Sequence, residues 1–145
     1  MAVSVKKITL WRTQVENKPG ALSGVLAPLA DAGADLQVVM GYHYHGAGDT
    51  AVIEVCPVSG KKSTAAAGKV GLKAAAIPTL LVQGDNKPGL GHAVAQAVAE
   101  AGINVSFLVA QVIGEQFSAV MGFDDDAGAK QAAALIKKAV KRFQK

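Results

Sequence analysis

Asn17-Lys18-Pro19-Gly20 returns as Asn86-Lys87-Pro88-Gly89, 69 positions further on. Between residues 8–39 and 77–108, ten of thirty-two positions are identical at that offset. They include Gln14/Gln83, Val25/Val94, Ala30/Ala99 and Ala32-Gly33/Ala101-Gly102. Ala51-Val52 then matches Ala119-Val120 at an offset of 68. A repeat constrains a chain more than local propensity does, because each copy must build the same supersecondary unit. With 145 residues and a boundary near residue 74, the expectation is two very small modules, 1–74 and 75–145.

Composition removes several classes. Half of the residues are hydrophobic and 18% are charged, which excludes disorder over the whole chain. The longest largely apolar run, Ala74 to Val82, contains Pro78 and is far shorter than the roughly 18 residues of a membrane span. Lys6 and Lys7 are not followed by a long apolar segment, so no signal peptide is expected. A single cysteine, Cys56, leaves the fold to packing and agrees with a cytoplasmic location. Fifteen basic against eleven acidic residues give +4, a mild balance that requires neither nucleic acid nor a membrane as partner.

Each copy reads as strand, turn, helix, strand, strand, helix. The extended runs Val5–Val15 and Ile77–Gln83 come first. In the turn, Pro suits the first helical turn and Asn suits the cap before it. Leu22, Val25, Leu26 and Leu29 have helical spacing in copy one, as do Leu90, Val94 and Val98 in copy two. Gly33 and Gly102 end these helices. Pro28, inside the first, predicts a kink or an early end. Two strands follow in each copy: 36–44 with 50–56, and 105–113 with 117–123. Residues 127–143 form a closing helix with the apolar stripe Ala132, Leu135, Ile136, Ala139, Val140 and Phe143. Its counterpart, 60–76, is weakened by Gly68 and Gly71. A final strand for copy one is available near 74–77; copy two has no residues left for one.

Strand 105–113 is apolar on both faces: Val105, Phe107 and Val109 on one, Leu108, Ala110 and Val112 on the other. A sheet with one solvated face alternates polar and apolar residues. A second chain covering that face, in a homodimer or larger oligomer, is therefore expected.

The turn, the amphipathic helix, Ala101-Gly102 and then Ile103-Asn104-Val105 entering a strand resemble the ACT domain. Copy one departs from the pattern at Ala34-Asp35-Leu36. The resemblance covers nearly the whole chain, twice. It implies an α+β fold of two tandem ferredoxin-like (βαββαβ) modules sharing a mainly antiparallel sheet with helices on one face. It also implies regulation by a small ligand, most often an amino acid.

The residues agree with such a site. A helix N-terminus offers unpaired amides and partial positive charge to a carboxylate. The ammonium group then needs acceptors, for which Asn17, Asn86, Asp85 and loop carbonyls are candidates. The ligand-binding candidates are thus Asn17, Lys18, Pro19, Gly20, Ala21 and Leu22, and Asp85, Asn86, Lys87, Pro88, Gly89, Leu90, Gly91 and Asn104. Gly91 would leave room beside a ligand, or merely relieve packing. Equally, Asn-Lys-Pro-Gly serves as a plain strand-to-helix turn.

His43 and His45 project from one strand face and, with Asp49 or a symmetry mate, can hold Zn²⁺ or Ni²⁺; two histidines are not a full ligand set, and an exposed or interface strand end accounts for them as well. Asp124-Asp125-Asp126 fits a helix cap better than a cation site. Lys137, Lys138, Lys141, Arg142 and Lys145 read as a solvated basic face, and Cys56 as packing. The chain has no nucleophile elbow, phosphate loop or dinucleotide fingerprint, and no cofactor is expected. The expected function is a non-catalytic small-molecule sensor. The alternatives are a ligand-free regulatory subunit and a metal-responsive protein using His43 and His45.

Overall fold

The computed structural model describes residues 2–44, 46 and 48–143. Eight strands and four helices alternate: β1 (Ser4–Ile8), β2 (Trp11–Glu16), α1 (Ala21–Asp31), β3 (Val38–His43), β4 (Thr50–Cys56), α2 (Lys61–Lys69), β5 (Lys73–Ala74), β6 (Thr79–Asp85), α3 (Leu90–Glu100), β7 (Val105–Ile113), β8 (Gln116–Phe123) and α4 (Asp126–Ala139). A 3₁₀ turn, Val140–Phe143, extends α4.

The strands form two antiparallel four-stranded sheets, ordered β3-β4-β2-β5 and β1-β6-β8-β7. Both are ferredoxin-like, with the strand after the first helix at one edge and the fourth-position strand at the other. The chain divides into two compact units, Thr9–Ala76 and Met1–Ile8 with Ile77–Lys145. Contiguous modules 1–74 and 75–145 leave the first eight residues with copy one. Here they go with copy two: the run Val5–Val15 breaks at Thr9-Leu10, and β1 pairs with β6 from Ser4↔Gln83 to Ile8↔Thr79. The fourth strand that copy two lacks is therefore supplied from the other end of the chain. In copy one that place is held by β5, only two residues long, opposite Trp11 and Arg12. The expected single sheet is replaced by two, each with its own complement of four strands.

Each core follows the predicted periodicities. In the first unit Val25 and Leu29 of α1 meet Ile53 and Val55 of β4 and Ala66 and Ala67 of α2. In the second, Leu90, Val94 and Val98 of α3 meet Leu80 and Val82 of β6, with Ala132, Ile136 and Val140 alongside. Leu22 departs from its predicted stripe: it is 43% exposed. Helix α1 also runs through Pro28 rather than ending there, stopping one turn later at cap Ala32. Pro28 forgoes the bond to the Gly24 carbonyl, and the turn beyond it is closed by Ala32 N–H to Pro28 O at 3.0 Å. Gly33 and Gly102 have φ of +77° and +70°. The amides of Ala34 and Ile103 bond back to Leu29 O and Val98 O, closing both helices in the same way.

Strand β7 is an edge strand. A bulge between Val105 and Phe107 changes the phase of its faces. Val105 therefore shares a face with Leu108, Ala110 and Val112, not with Phe107 and Val109 as strict alternation predicts. Leu108, Val109, Val112 and Ile113 are 51%, 48%, 48% and 66% exposed.

Candidate functional site: the two strand-to-helix junctions

Both junctions are built alike. Lys18-Pro19-Gly20-Ala21 and Lys87-Pro88-Gly89-Leu90 are closed by amide-to-carbonyl bonds of 3.2 and 3.1 Å, Ala21 N–H to Lys18 O and Leu90 N–H to Lys87 O. Gly20 and Gly89 have φ of +87° and ψ near zero. This is a type II turn, in which Pro at the second position and Gly at the third are the residues whose backbones fit. The glycines, not the asparagines, are the N-caps, and no side chain caps either helix. Pro19 and Pro88 accordingly lie before the helix rather than in its first turn. Asn17 and Asn86 act through their backbone: their amides donate to Asp49 O and Glu115 O, in the loops joining β3 to β4 and β7 to β8. Each junction is thus tied to the adjacent hairpin, and the amides of helix residues 22–23 and 91–92 keep no backbone partner among the described residues.

The surroundings differ. At the first junction Glu16, Asn17, Lys18, Pro19 and Gly20 are exposed, and Lys18 Nζ pairs with Glu16 Oε2 at 3.2 Å. A Cβ built on Gly20 meets nothing within 4 Å. Leu22, with a methyl 3.9 Å from a Cβ placed on Gly41, and Val39 on the same sheet face as Gly41 are exposed apolar side chains on this side of the sheet. At the second junction the protein's own side chains approach. Val3 lies on Gly84, so that a Cβ there would fall 2.6 Å from Val3 Cα. The Phe143 ring stands 4.0 Å from a Cβ on Gly89, and Phe117 stands 3.8 Å from one on Gly91, filling part of the room that Gly91 leaves. Asp85 Oδ1 accepts from Gln116 Nε2 at 2.8 Å.

Asn104 is not brought to this junction. The ladder pairs Asp85 with Gln116 at one end and Val105 with Phe123 at the other, seven residues apart on β8. At about 3.3 Å per residue the separation exceeds 20 Å. Asn104 Nδ2 instead reaches Asp124 Oδ2 at 3.4 Å, and Ser106 Oγ donates to Asp124 Oδ1 at 2.6 Å. Asp125 caps α4 by accepting from Gly128 N–H at 2.6 Å, and Asp126 pairs with Lys7 at 3.0 Å. Asp125 and Asp126 therefore serve the start of α4, and Asp124 ties down the entry to β7.

His43 is exposed with Nδ1 3.0 Å from Thr50 O, while its expected companion His45 lies outside the described residues. Cys56 is buried.

The sequence reading missed one group. Glu54 is 3% exposed in an otherwise apolar stretch of β4; Oε1 accepts the Tyr42 hydroxyl and Oε2 has no hydrogen-bond partner among the described residues. Burial first, and this bond to Glu54 second, hold the Tyr42 phenol well above the usual tyrosine range. Tyr44 packs edge-on to Tyr42, ring centroids 5.2 Å apart. A single carboxylate amid Ala51-Val52-Ile53 and Val55-Cys56 was the available signal.

No family model and no curated protein matches this chain. Solved structures do. Protein BT0572 from Bacteroides thetaiotaomicron is 15% identical, with 98% of this chain and 90% of that one covered and a TM-score of 0.69. The ligand-free regulatory subunit of aspartate kinase from Thermus thermophilus is 16% identical, over 97% and 98% of the two chains, with a TM-score of 0.65. A chain from the aspartokinase alpha and beta subunits also scores 0.65 at 16% identity, over 96% and 97%. At such identities the likeness is one of fold. The chain has the tandem ACT-type, ferredoxin-like fold that the resemblance implies.

Proposed function

We propose that this is a non-catalytic regulatory protein that senses a free amino acid at its strand-to-helix junctions, chiefly the first. The observation that carries the reading is the open junction at Asn17–Leu22. The turn presents the unpaired amides of Leu22 and Ser23 beside the exposed Leu22 side chain, and apart from its chain neighbours no residue comes within 4 Å of a Cβ on Gly20. Those amides suit a carboxylate, and Leu22 and Val39 offer surface to a side chain. The second junction, flanked by Val3 and Phe143, is the weaker site. The regulatory role of an aspartate kinase subunit with this fold points the same way. A homodimer completes the proposal, with a second copy covering β7. A nine-residue edge strand without proline or charge is a ready pairing template.

A thermal-shift panel of free amino acids tests the sensor. A ligand at about 100 times its Kd adds about 2.7 kcal/mol, a Tm rise of roughly 5–10 °C for a chain of this size. The rise should vanish in Asn17→Ala/Leu22→Arg and persist in Asn86→Ala. A flat response to every amino acid at millimolar concentration ends the reading. Sedimentation of Leu108→Lys/Val112→Lys tests the dimer, which should become a folded monomer.

A further inference from the structure

Beyond amino-acid sensing, the sheet of the first unit holds a second arrangement, at its opposite edge. Arg12 on β2 is the in-register partner of Lys73 on β5. Cross-strand partners share a face, with Cβ atoms about 4.5–5.5 Å apart, and like charges so placed destabilise the sheet. Neither cation makes an ion pair among the described residues, where the ion pairs are Lys7–Asp126 and Lys18–Glu16. Glu54 is the partner of Arg12 on its other side, but its Oε1 is engaged by Tyr42 and it forms no ion pair with Arg12.

Beside the two cations lies a depression of about 440 Å³, within the range of small-molecule sites. Gln14, Thr13, Gly71 and Ala75 also line it, and no carboxylate does. It exists because β5 stops after two residues. Strand β1, which holds the same place in the other sheet, pairs over five positions. Beyond Arg12, β2 therefore has no partner on this side, and its backbone groups face the notch. Two cations without an ion pair, the Gln14 amide and the unpaired edge of β2 border one open space.

We propose that Arg12 and Lys73 form a binding site for a small phosphate-bearing anion in the notch where β5 ends. A guanidinium engages phosphate oxygens in bidentate fashion and a lysine adds a point charge. The anion relieves the cross-strand repulsion, so occupancy stabilises the first unit.

The test is thermal denaturation with inorganic phosphate or a phosphate monoester, ionic strength held constant with sodium chloride so that general screening is equal. Wild type should rise in Tm with either anion. Equal affinity for both points to free phosphate as the source, and tighter binding of the ester to a phosphorylated metabolite. Arg12→Gln and Lys73→Gln should each weaken the apparent affinity at least tenfold, yet without phosphate be no less stable than wild type. Lys62→Gln/Lys69→Gln, on the exposed face of α2, should respond as wild type does. Lys73 is exposed, so its variant keeps the test valid should Arg12→Gln fold poorly. No rise in wild type, or an equal rise in the notch variants, overturns the proposal. The amino-acid response, read on the same samples, stands or falls separately.

Discussion

Gly122 on β8 lies opposite Phe107 on β7, and the Phe107 ring covers it. A Cβ at residue 122 would sit 2.1, 2.4 and 2.9 Å from Cε1, Cδ1 and Cζ of that ring. Carbon pairs are most favourable at about 3.5–4.0 Å, so in Gly122→Ala the ring must leave its place. It is the far end of a side chain with two torsions and is only partly buried, so it can move. The cost is that of overpacking, about 1–3 kcal/mol. For a unit of this size that lowers Tm by roughly 4–8 °C per kcal/mol. The assay is a double-mutant cycle by chemical denaturation with Gly122→Ala, Phe107→Ala and both together. With the ring gone, the added methyl has room, so the pair should cost at least about 1 kcal/mol less than the sum of the singles. Additivity within about 0.5 kcal/mol, the behaviour of independent sites, would refute the ring-over-glycine packing.

Gly20→Ala and Gly89→Ala should each cost about 1–2 kcal/mol, because both residues hold φ at +87°; equal losses in denaturant titrations are expected, and a neutral Gly20→Ala would contradict the type II turn. Tyr42→Phe should destabilise by about 1–3 kcal/mol, since it leaves Glu54 Oε1 as unpartnered as Oε2. Because the folded pKa of Tyr42 is raised, its contribution is present in full below the unfolded value of about 10 and is lost as pH climbs through the folded one. Phenolate absorbance of wild type minus Tyr42→Phe should therefore appear well above pH 10, and a transition at the ordinary tyrosine value would refute the buried pair.

The repeat, the helical spacings and the paired strands made most of the fold legible, because those signals depend on local periodicity. What stayed hidden depended on partners distant in the chain. No glycine or proline marks the break at Thr9-Leu10, so Val5 to Val15 reads as one strand; only pairing with β6 reveals that Ser4–Ile8 belongs to the other sheet. Asn104 follows a familiar motif, yet the ladder carries it to the far end from Asn86. Leu22 keeps the helical period but lies over Gly41 on the edge strand β3, where it stays exposed. The bulge that rephases Val105 leaves no mark in a run of alternating apolar residues.

The two copies of one unit have diverged at particular positions. Glu54 and Gly122 are equivalent at an offset of 68, and their cross-strand partners are Met40 and Phe107. One module closes that position with a ring over a glycine. The other puts there a buried carboxylate, which costs stability unless its oxygens are satisfied. The same module has the shortened β5, the unpaired Arg12 and Lys73 and the open junction, whereas its sister has the full-length fourth strand and a junction flanked by Val3 and Phe143. The departures from ideal packing gather in one unit, and polar groups left short of partners are where a bound molecule has the most free energy to add. If the proposed function holds, the first unit is the one expected to respond and the second its stable counterpart. Ligands should accordingly slow amide exchange in residues 9–76 while leaving the β6 and β8 amides unchanged; uniform protection of both units would contradict that division.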